Sequence, residues 1–313
     1  MLSAALAAVI VGNAVAQTLH TNGPIITNPT GGTGSIAGLP ISNCDGFTVP
    51  GSTFVFSTTG VAGTVSTNTA LAEDFTVPEG GWDLDALVVY AFQSSQITPT
   101  VTQVHVNLWT ETPYSVGSPD APATIPQPVL AANMVVQTGP GVLVCHRQSA
   151  TSTGTVRPVF AYTVSLDGLP DGGRLAPGRY WIQWSCAGAA SPSANVFSPL
   201  VSPRTAVQGH NARQLNALDG NPASPRVWFE GREGYVAGSA EGRAFELPFE
   251  LLGTVPSPCP SDLDGDREVS SSDLALALLD FGPCAGCAAD VDASGEVDGG
   301  DLGFMLLDFG SCP

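Results

Sequence analysis

The sequence has no lysine, and its ten basic residues, all arginines, stand against 28 acidic residues in a chain of 313. The formal net charge is −18 at pH 7. A chain with so little positive charge lacks the basic surface through which proteins bind phosphate backbones. We therefore expect no nucleic-acid partner.

The sequence also lacks the short motifs of common catalytic sites. It contains no Gly-x-Ser-x-Gly, no His-Glu-x-x-His and no phosphate-binding loop. Its four histidines are far apart in sequence: His20, His105, His146 and His210. Two carboxylates from distant strands could still converge as in a glycosidase, but Asp83 and Asp85 are expected to be a solvated pair on one strand face. The sequence favours a protein that is not an enzyme.

Only the start of the chain contains a long apolar run. Residues 1–16 end in Ala14-Val-Ala16, a small-x-small pattern typical of a signal-peptidase site, although basic residues are missing before it. No later run has the length of a membrane span, and seven cysteines suit an oxidising compartment. We expect a signal peptide over residues 1–16 and a secreted, extracellular protein that is associated with the cell surface.

Residues 17–252 show the alternation of apolar and polar residues that is typical of β-strands. Glu246 and Glu250 are expected to face outward on the last strand, where Pro248 indicates an edge position. With frequent Gly and Pro turns, the pattern predicts an antiparallel, jelly-roll-like β-sandwich. Residues 253–258 are predicted to be a stiff linker. Four segments are expected to point apolar residues inward: Trp82, Leu84, Ala86, Val88, Tyr90 and Phe92; Val104, Val106 and Leu108; Phe160, Tyr162, Val164 and Leu166; Phe245, Leu247, Phe249 and Leu251.

One predicted strand carries large rings on both of its faces. Trp181 must point away from its neighbours Tyr180 and Ile182, because successive side chains of a strand alternate. If one set fills the core, the other, joined by Trp109 or Trp228, could form a platform for sugar rings. The alternative is that all of these rings are structural. Carbohydrate is therefore the ligand class considered for the sandwich.

The last 55 residues contain a duplication with a period of 28 residues, and they carry twelve of the acidic residues but only one arginine. Each copy places oxygen-bearing side chains at positions 1, 3, 5 and 12 of a twelve-residue loop. A hard cation that takes six to eight oxygen ligands fits this spacing. The sequence therefore predicts two calcium sites. Their candidate ligands, which include an acid at position 7, are Asp262, Asp264, Asp266, Glu268 and Asp273 in the first copy and Asp290, Asp292, Ser294, Glu296 and Asp301 in the second.

Each loop is predicted to lead into a short helix that starts at position 12. The valines at position 8, Val269 and Val297, are expected to let the two loops pack together. Position 6, where glycine allows a sharp turn, is Arg267 in the first copy and Gly295 in the second. Apolar residues at i, i+4 and i+7 predict one core-facing stripe per helix: Leu274, Leu278 and Phe281, and Leu302, Leu306 and Phe309.

A duplicated loop and helix without a helix before either loop resembles a dockerin, since Pro256-Ser-Pro-Cys-Pro260 cannot be helical and only Ala285-Gly286 separates the copies. The cysteine-bracketed copies, each ending in Phe-Gly-x-Cys, resemble the GC-type dockerins of secreted bacterial proteins. The resemblance covers about the last fifth of the chain. It implies a small α-helical, calcium-dependent attachment module over residues 259–313, which binds a cohesin-like or other surface scaffold protein.

The same resemblance implies where a partner would bind. Cellulosomal dockerins use loop positions 10 and 11, which are Ser271 and Ser272 in the first copy and Gly299 and Gly300 in the second. Only the first copy offers hydroxyl groups, so partner binding is expected through Ser271 and Ser272. Basic residues that such helices often add are absent, which favours a receptor other than a cellulosomal cohesin.

The cysteines leave several pairings open. The placement of four of them around the two copies favours disulfides Cys259–Cys284 and Cys287–Cys312 over the alternative of Cys259–Cys312 with Cys284–Cys287. The Cys-x-x-Cys could in principle hold zinc, but export favours disulfides. In the predicted sandwich, Cys145 and Cys186 are expected to pair.

Taken together, these features predict an exported, non-catalytic protein in which a β-sandwich is anchored through a calcium-dependent, dockerin-like module. Two alternatives stay open. One is a polysaccharide-degrading hydrolase carried by the same module, and the other is a structural component of a surface layer.

Overall fold

The chain divides after Gly253 into two compact units, close to the predicted end of the sandwich at residue 252. The predicted signal peptide lies outside the described residues except for Ala16, and so does the second half of the predicted linker, residues 256–258. The computed structural model describes residues 16–31, 37–43, 60–114, 124, 134–148, 154–169, 173–188, 195–200, 210–217, 224–233, 243–255, 259–264, 268–284, 287–292 and 294–311.

The N-terminal unit is mainly β, as predicted, with a short 3-10 turn at Val65–Thr67. Its strands are β1 (Gln17–Thr21), β2 (Ile41–Asn43), β3 (Gly60–Ala62), β4 (Ala70–Val77), β5 (Trp82–Ala91), β6 (Val101–Trp109), β7 (Met134–Gln137), β8 (Val142–Gln148), β9 (Pro158–Ser165), β10 (Arg174–Leu175), β11 (Gly178–Gly188), β12 (Phe197–Pro199), β13 (Arg213–Ala217), β14 (Arg226–Glu230), β15 (Arg232–Glu233), β16 (Arg243–Ala244) and β17 (Phe249–Thr254).

Two large sheets contain most of these strands. One has the order β1-β17-β5-β9-β8-β2, with β10 beside β5, and the other has the order β14-β13-β4-β11-β6-β7. Two small sheets pair β3 with β12 and β15 with β16. Strands β2 and β8 run parallel, while the other pairs with a described register in this unit are antiparallel. Among these described pairs, the predicted antiparallel arrangement therefore holds except for one pair at a sheet edge.

One hydrophobic core draws side chains from both large sheets. Three of the four predicted alternating segments point into it, because their strands expose one face to the opposite sheet. Tyr180, Ile182 and Trp184 of β11 also contact this core. The confirmed inward residues are Val104, Val106 and Leu108; Phe160, Tyr162, Val164 and Leu166; Phe245, Leu247, Phe249 and Leu251.

Strand β5 changes the face that it presents to this core. Leu84 points into the core as predicted, but from Leu87 onward the inward residues are the odd-numbered ones. Val88 and Tyr90, which were predicted to point inward, lie in a second apolar cluster instead. Strict alternation has shifted by one residue near Asp85, as at a β-bulge. The predicted alternation therefore fails in the second half of β5, whose two faces are both buried.

Strand β17 departs from its predicted place in the sheet. It lies between β1 and β5 and is not an edge strand, and Pro248 precedes its first residue. Glu246, predicted to face outward, is buried. Glu250 is half-buried and accepts a hydrogen bond from the Tyr90 hydroxyl.

The C-terminal unit contains two short helices and four two-residue strands: β18 (Glu268–Val269), α1 (Ser271–Leu279), β19 (Gly282–Pro283), β20 (Glu296–Val297), α2 (Gly299–Leu307) and β21 (Gly310–Ser311). The helices begin at loop position 10, two residues before the predicted start. Asp273 and Asp301, at position 12, are the third residues of the helices and close capping boxes with Ser270 and Asp298. Among the described residues, no helix is long and apolar enough to cross a membrane.

The two halves of this unit are joined crosswise. Strand β18 of the first loop pairs with β21, which follows the second helix, and β20 of the second loop pairs with β19, which follows the first helix. These two strand pairs therefore do not join the loops directly. Val269 and Val297 are nevertheless fully buried in one shared core.

The predicted helix stripes hold only at their first residue. Leu274 and Leu302 pack partly against the core, but the fully buried helix residues include Ala277 and Met305. The position-12 carboxylates must point into their loops, and the residue four positions later lies on the same helix face. That face is therefore the buried one. Four residues predicted to be buried are at least half exposed instead: Leu278, Phe281, Leu306 and Phe309.

Candidate metal centres and a cavity on the sheet

Two clusters of carboxylates occupy equivalent places in the two halves. The first consists of Asp262, Asp264 and Asp273, and the second of Asp290, Asp292 and Asp301. Within each cluster, one oxygen of each side chain lies within 4.8 Å of the others. These residues are positions 1, 3 and 12 of the two loops, so the fold brings together six of the ten predicted ligands.

The carboxylate at position 12 organises each loop. Asp273 is fully buried; its Oδ1 accepts the N–H groups of Leu263 (2.7 Å) and Asp264 (3.1 Å), and its Oδ2 accepts that of Ser270 (2.8 Å). Burial alone would raise the pKa of Asp273, but these donors outweigh it and hold the pKa below its usual range. The side chain therefore stays ionised, which is the form that binds a cation.

Asp301 is held in the same way in the second half. It is fully buried, its Oδ1 accepts the N–H of Asp292 at 3.2 Å, and its Oδ2 accepts the N–H of Asp298 at 2.8 Å. The Asp298 donor is the main reason why the pKa of Asp301 is lowered. Two equivalent anionic sites result.

The other predicted ligands are placed less uniformly. Ser294, at position 5, donates its N–H to Asp290 Oδ1 at 2.8 Å and Asp292 Oδ1 at 3.0 Å. Glu268 and Glu296 are exposed and belong to neither carboxylate cluster, so their predicted role as side-chain ligands is not supported by the geometry. Asp266 lies outside the described residues.

The second loop turns at the predicted glycine. Gly295 has φ +94°, a left-handed conformation that glycine adopts without strain. Its N–H donates to Asp290 Oδ2 at 2.9 Å. This turn closes the loop around the first ligand. Arg267, at the same position of the first loop, lies outside the described residues.

The cysteines of this unit follow the pairing that was not favoured. Cys284 is bonded to Cys287, so the predicted Cys259–Cys284 and Cys287–Cys312 pairs are wrong. The short Ala285-Gly286 connection allows it, because the two Cα atoms are 5.8 Å apart, within disulfide range. Cys259 is disulfide-bonded as well, and Cys312 lies outside the described residues. These bonded sulfurs are not thiolates for zinc.

The predicted Cys145–Cys186 bond is also wrong, since both thiols are free and buried. Cys186 belongs to the main core and Cys145 to the second apolar cluster, on strands of different sheets. Burial raises the pKa of each thiol to about 12. Neither thiol is therefore a reactive site.

The two helices are apolar on their outer sides as well. We call this set the apolar outer face: Leu276, Leu278, Leu279, Phe281, Phe304, Leu306, Leu307 and Phe309, all exposed. The residues form four pairs at the 28-residue period, and Leu279 and Leu307 are 81% and 83% exposed. Ser271 and Ser272 are exposed at the start of α1. A helix that is apolar all round normally has both sides covered.

A cavity of about 300 Å³ opens on the outer face of the six-stranded sheet. The sequence analysis named Trp109 and Trp228, which form one wall of this cavity. It could not identify the polar residues beside them, because polar residues are common on the solvent-facing side of a strand. We call this cavity the sheet cavity. It is lined by Val65, Asn68, Thr69, Ala70, His105, Asn107, Trp109, Gln183, Ser185, Leu215 and Trp228.

A buried acidic pair, which sequence reasoning missed, lies elsewhere in the N-terminal unit. Glu73 accepts the N–H of Leu247, and Glu246 accepts a hydrogen bond from the Asn22 amide at 3.3 Å. Burial, with the neighbouring charge of Glu246, raises the pKa of Glu73 well above its usual range, and burial raises the pKa of Glu246 to about 7. Neither residue lines the sheet cavity.

Comparison with protein-family models, with curated proteins and with solved structures finds no match to this chain. What the residues do must therefore be inferred from their own geometry and chemistry.

Proposed function

We propose that the protein is exported and attached to the cell surface through its C-terminal unit, a calcium-dependent module of the dockerin type, with a jelly-roll-like β-sandwich as its ligand-binding part. The observation that carries the proposal is a coincidence of two repeats. Each half has an equivalent carboxylate cluster and four exposed large apolar residues at equivalent positions, with one period of 28 residues. An ion site and a contact surface are thus duplicated together.

Calcium is the ion that suits the clusters. Three carboxylates converge in each half, and they repel one another until a cation offsets their charge. All of the ligand atoms are oxygens, which hard cations prefer, and the spacing of 1, 3 and 12 leaves room for main-chain oxygen and water between them. Asp262, Asp264 and Asp273 would hold one ion, and Asp290, Asp292 and Asp301 the other.

Ion binding is coupled to the apolar outer face through the first turns of the two helices. Asp273 and Asp301 contribute to an ion site and, at the same time, cap the first turns of α1 and α2. A bound ion therefore fixes the helices whose outer sides carry the apolar outer face. We expect attachment to require calcium for this reason.

The partner should be a scaffold protein with an apolar surface that is rimmed by basic side chains. Eight large apolar side chains are exposed on this unit, and its twelve acidic residues against one arginine leave it anionic even with two calcium ions bound. An apolar centre with a charged rim is the usual anatomy of a protein interface.

Fractionation of producing cells tests the proposal. The wild-type protein should be found with the cell envelope and be released by a calcium chelator. The double variant Leu279→Ser, Leu307→Ser should be found in the medium, because it loses the two most exposed side chains of the apolar outer face. Its calcium binding should equal that of the wild type.

A matched control replaces a similarly exposed apolar residue of the other unit. Ile97, which is 74% exposed, is changed to serine and should leave the protein on the envelope. The proposal fails if the wild type is not retained, or if the double variant is retained as well as Ile97→Ser.

A further inference from the structure

We propose that the sheet cavity binds a single neutral sugar ring. The inference deepens the proposed function, on which it rests for the role of the β-sandwich as the ligand-binding part, by naming the ligand class and the residues. It uses residues of the N-terminal unit alone.

Rigid strands place the floor of the sheet cavity. In the register of β6 and β11, Trp109 lies opposite Trp181, Asn107 opposite Gln183 and His105 opposite Ser185. The alternate residues of β6 fill the main core, so the cavity side chains must point to the outer side of the sheet. A site built on neighbouring strands keeps its geometry without a ligand.

Two indole rings form the apolar wall. The rings of Trp109 and Trp228 meet edge to face, with centroids 6.2 Å apart and planes at 84°. Trp109 Nε1 donates to Gln183 Oε1 at 3.0 Å, which fixes the first ring. Indole surfaces suit the C–H faces of a pyranose, since both are apolar patches beside polar groups. Trp181, which the sequence analysis considered for such a platform, stacks on His210 and does not line the sheet cavity.

The polar groups of the sheet cavity are all uncharged. They are the amides of Asn68, Asn107 and Gln183, two hydroxyls and the imidazole of His105. Burial lowers the pKa of His105, which keeps the imidazole neutral near pH 7. A charged ligand would find no counter-charge in this lining, whereas amides and hydroxyls can both donate to and accept from sugar hydroxyls.

The rim is held in place before any ligand binds. Asn68 adopts φ +50°, a left-handed conformation that asparagine tolerates better than most residues. The Arg226 guanidinium donates to the main-chain oxygen of Thr67 at 2.9 Å, so the turn is tied to β14. Thr69 Oγ1 accepts the N–H of Thr64 at 2.8 Å across the base of the same turn.

The volume and the lining of the sheet cavity restrict the class of ligand further. A volume of about 300 Å³ is at the small end of ligand cavities, so one ring fits but a long chain does not. The lining has no carboxyl group, and a glycosidase needs a pair of them. We infer that this cavity retains a terminal sugar or a monosaccharide and does not cleave it.

Titration of the full chain with D-glucose, D-galactose, D-mannose and N-acetyl-D-glucosamine tests the inference. Tryptophan fluorescence and saturation-transfer NMR should show that at least one of them binds. His105→Ala should weaken that binding about fivefold or more, because one hydrogen bond is lost. Trp228→Phe, which keeps an aromatic ring, should weaken it and change the fluorescence response.

Gln103→Ala is the matched control, since Gln103 lies two residues from His105 on the same side of β6 but does not line the sheet cavity. It should bind like the wild type. The inference is overturned if none of the four sugars binds, or if a sugar binds equally well to His105→Ala, Trp228→Phe and Gln103→Ala. Sugar binding should survive Leu279→Ser, Leu307→Ser, so its failure can be told apart from a failure of attachment.

Discussion

Val269 of the first half lies opposite Gly310 of the second half, in a strand pair that joins the end of one acidic loop to the chain that follows the other half's helix. Val297 and Gly282 form the equivalent pair. Because each loop is completed by the opposite half, neither half has its full set of contacts alone. We expect the two ion sites to bind cooperatively.

The variant Val269→Ala tests this coupling. Val269 is fully buried, and loss of two methyl groups should destabilise the unit by about 1–2 kcal/mol. Calcium affinity should fall at both sites, measured by isothermal titration calorimetry. Leu278→Ala, at an exposed position, is the control. An effect confined to the first site would contradict the coupling.

Two adjacent glycines of α2 should respond differently to a methyl group. A Cβ on Gly300 would lie 3.0 Å from Oδ1 of the helix cap Asp298 and 3.1 Å from Asp292 Oδ2 in the second carboxylate cluster, whereas a Cβ on Gly299 would meet no atom within 4 Å. Gly300→Ala should therefore weaken calcium binding at the second site severalfold, and Gly299→Ala should not. Equal affinities in a calcium titration of the two variants would disprove this arrangement.

The cysteines can be mapped chemically. Cys145 and Cys186 should resist iodoacetamide at pH 8 in the native protein, because they are buried and their pKa values are raised to about 12. Both should react in denaturant. Peptide mapping without reductant should recover Cys284 and Cys287 joined within one short peptide. A Cys145–Cys186 peptide, or alkylation of either thiol in the native protein, would be inconsistent with the structure.

The buried acidic pair should make the N-terminal unit less stable as the pH rises. The pKa of Glu246 is raised by burial from 4.5 to about 7, so the stabilising protonated form is complete below pH 4.5 and is lost through about pH 7. Near the pair, Asp74 adds negative charge and Asn22 donates to Glu246. Glu246→Gln should raise the free energy of unfolding at pH 8 by about 2–3 kcal/mol and change it little at pH 4.5.

Denaturant unfolding at both pH values measures this difference. Glu79→Gln, an exposed acid in a turn, should show no such dependence on pH. If the stability difference between Glu246→Gln and the wild type is the same at pH 4.5 and pH 8, the charge of Glu246 does not destabilise the folded unit.

The convergence of the carboxylates in each acidic loop could be predicted from the sequence because one loop defines their spacing. Positions 1, 3 and 12 converge in both halves as the spacing requires. The apolar alternation of β6 and β9 could also be predicted, since those strands cross the main core without a break. In these places the local pattern and the fold agree.

The predictions fail where contacts between residues that are far apart in the sequence determine the structure. The helices carry leucine on every side, so periodicity could not identify the buried face, which is set by Asp273 and Ala277. The shift in β5 depends on a second cluster over its outer side, to which Cys145 and Val159 contribute from other strands. Glu246 is buried beside Glu73, which lies 173 positions earlier in the chain. No local sequence pattern predicts such a buried acidic pair.

A calcium titration of the full chain by isothermal titration calorimetry tests the central claim most directly. The account predicts two ions per chain for the wild type and one for either Asp273→Asn or Asp301→Asn, since each change removes one charge from one carboxylate cluster while keeping the shape of the side chain. Asp280→Asn, in which the acid at the end of α1 belongs to neither cluster, should still bind two ions. A wild-type chain that binds no calcium, or an Asp273→Asn, Asp301→Asn double variant that still binds two ions, would contradict the account.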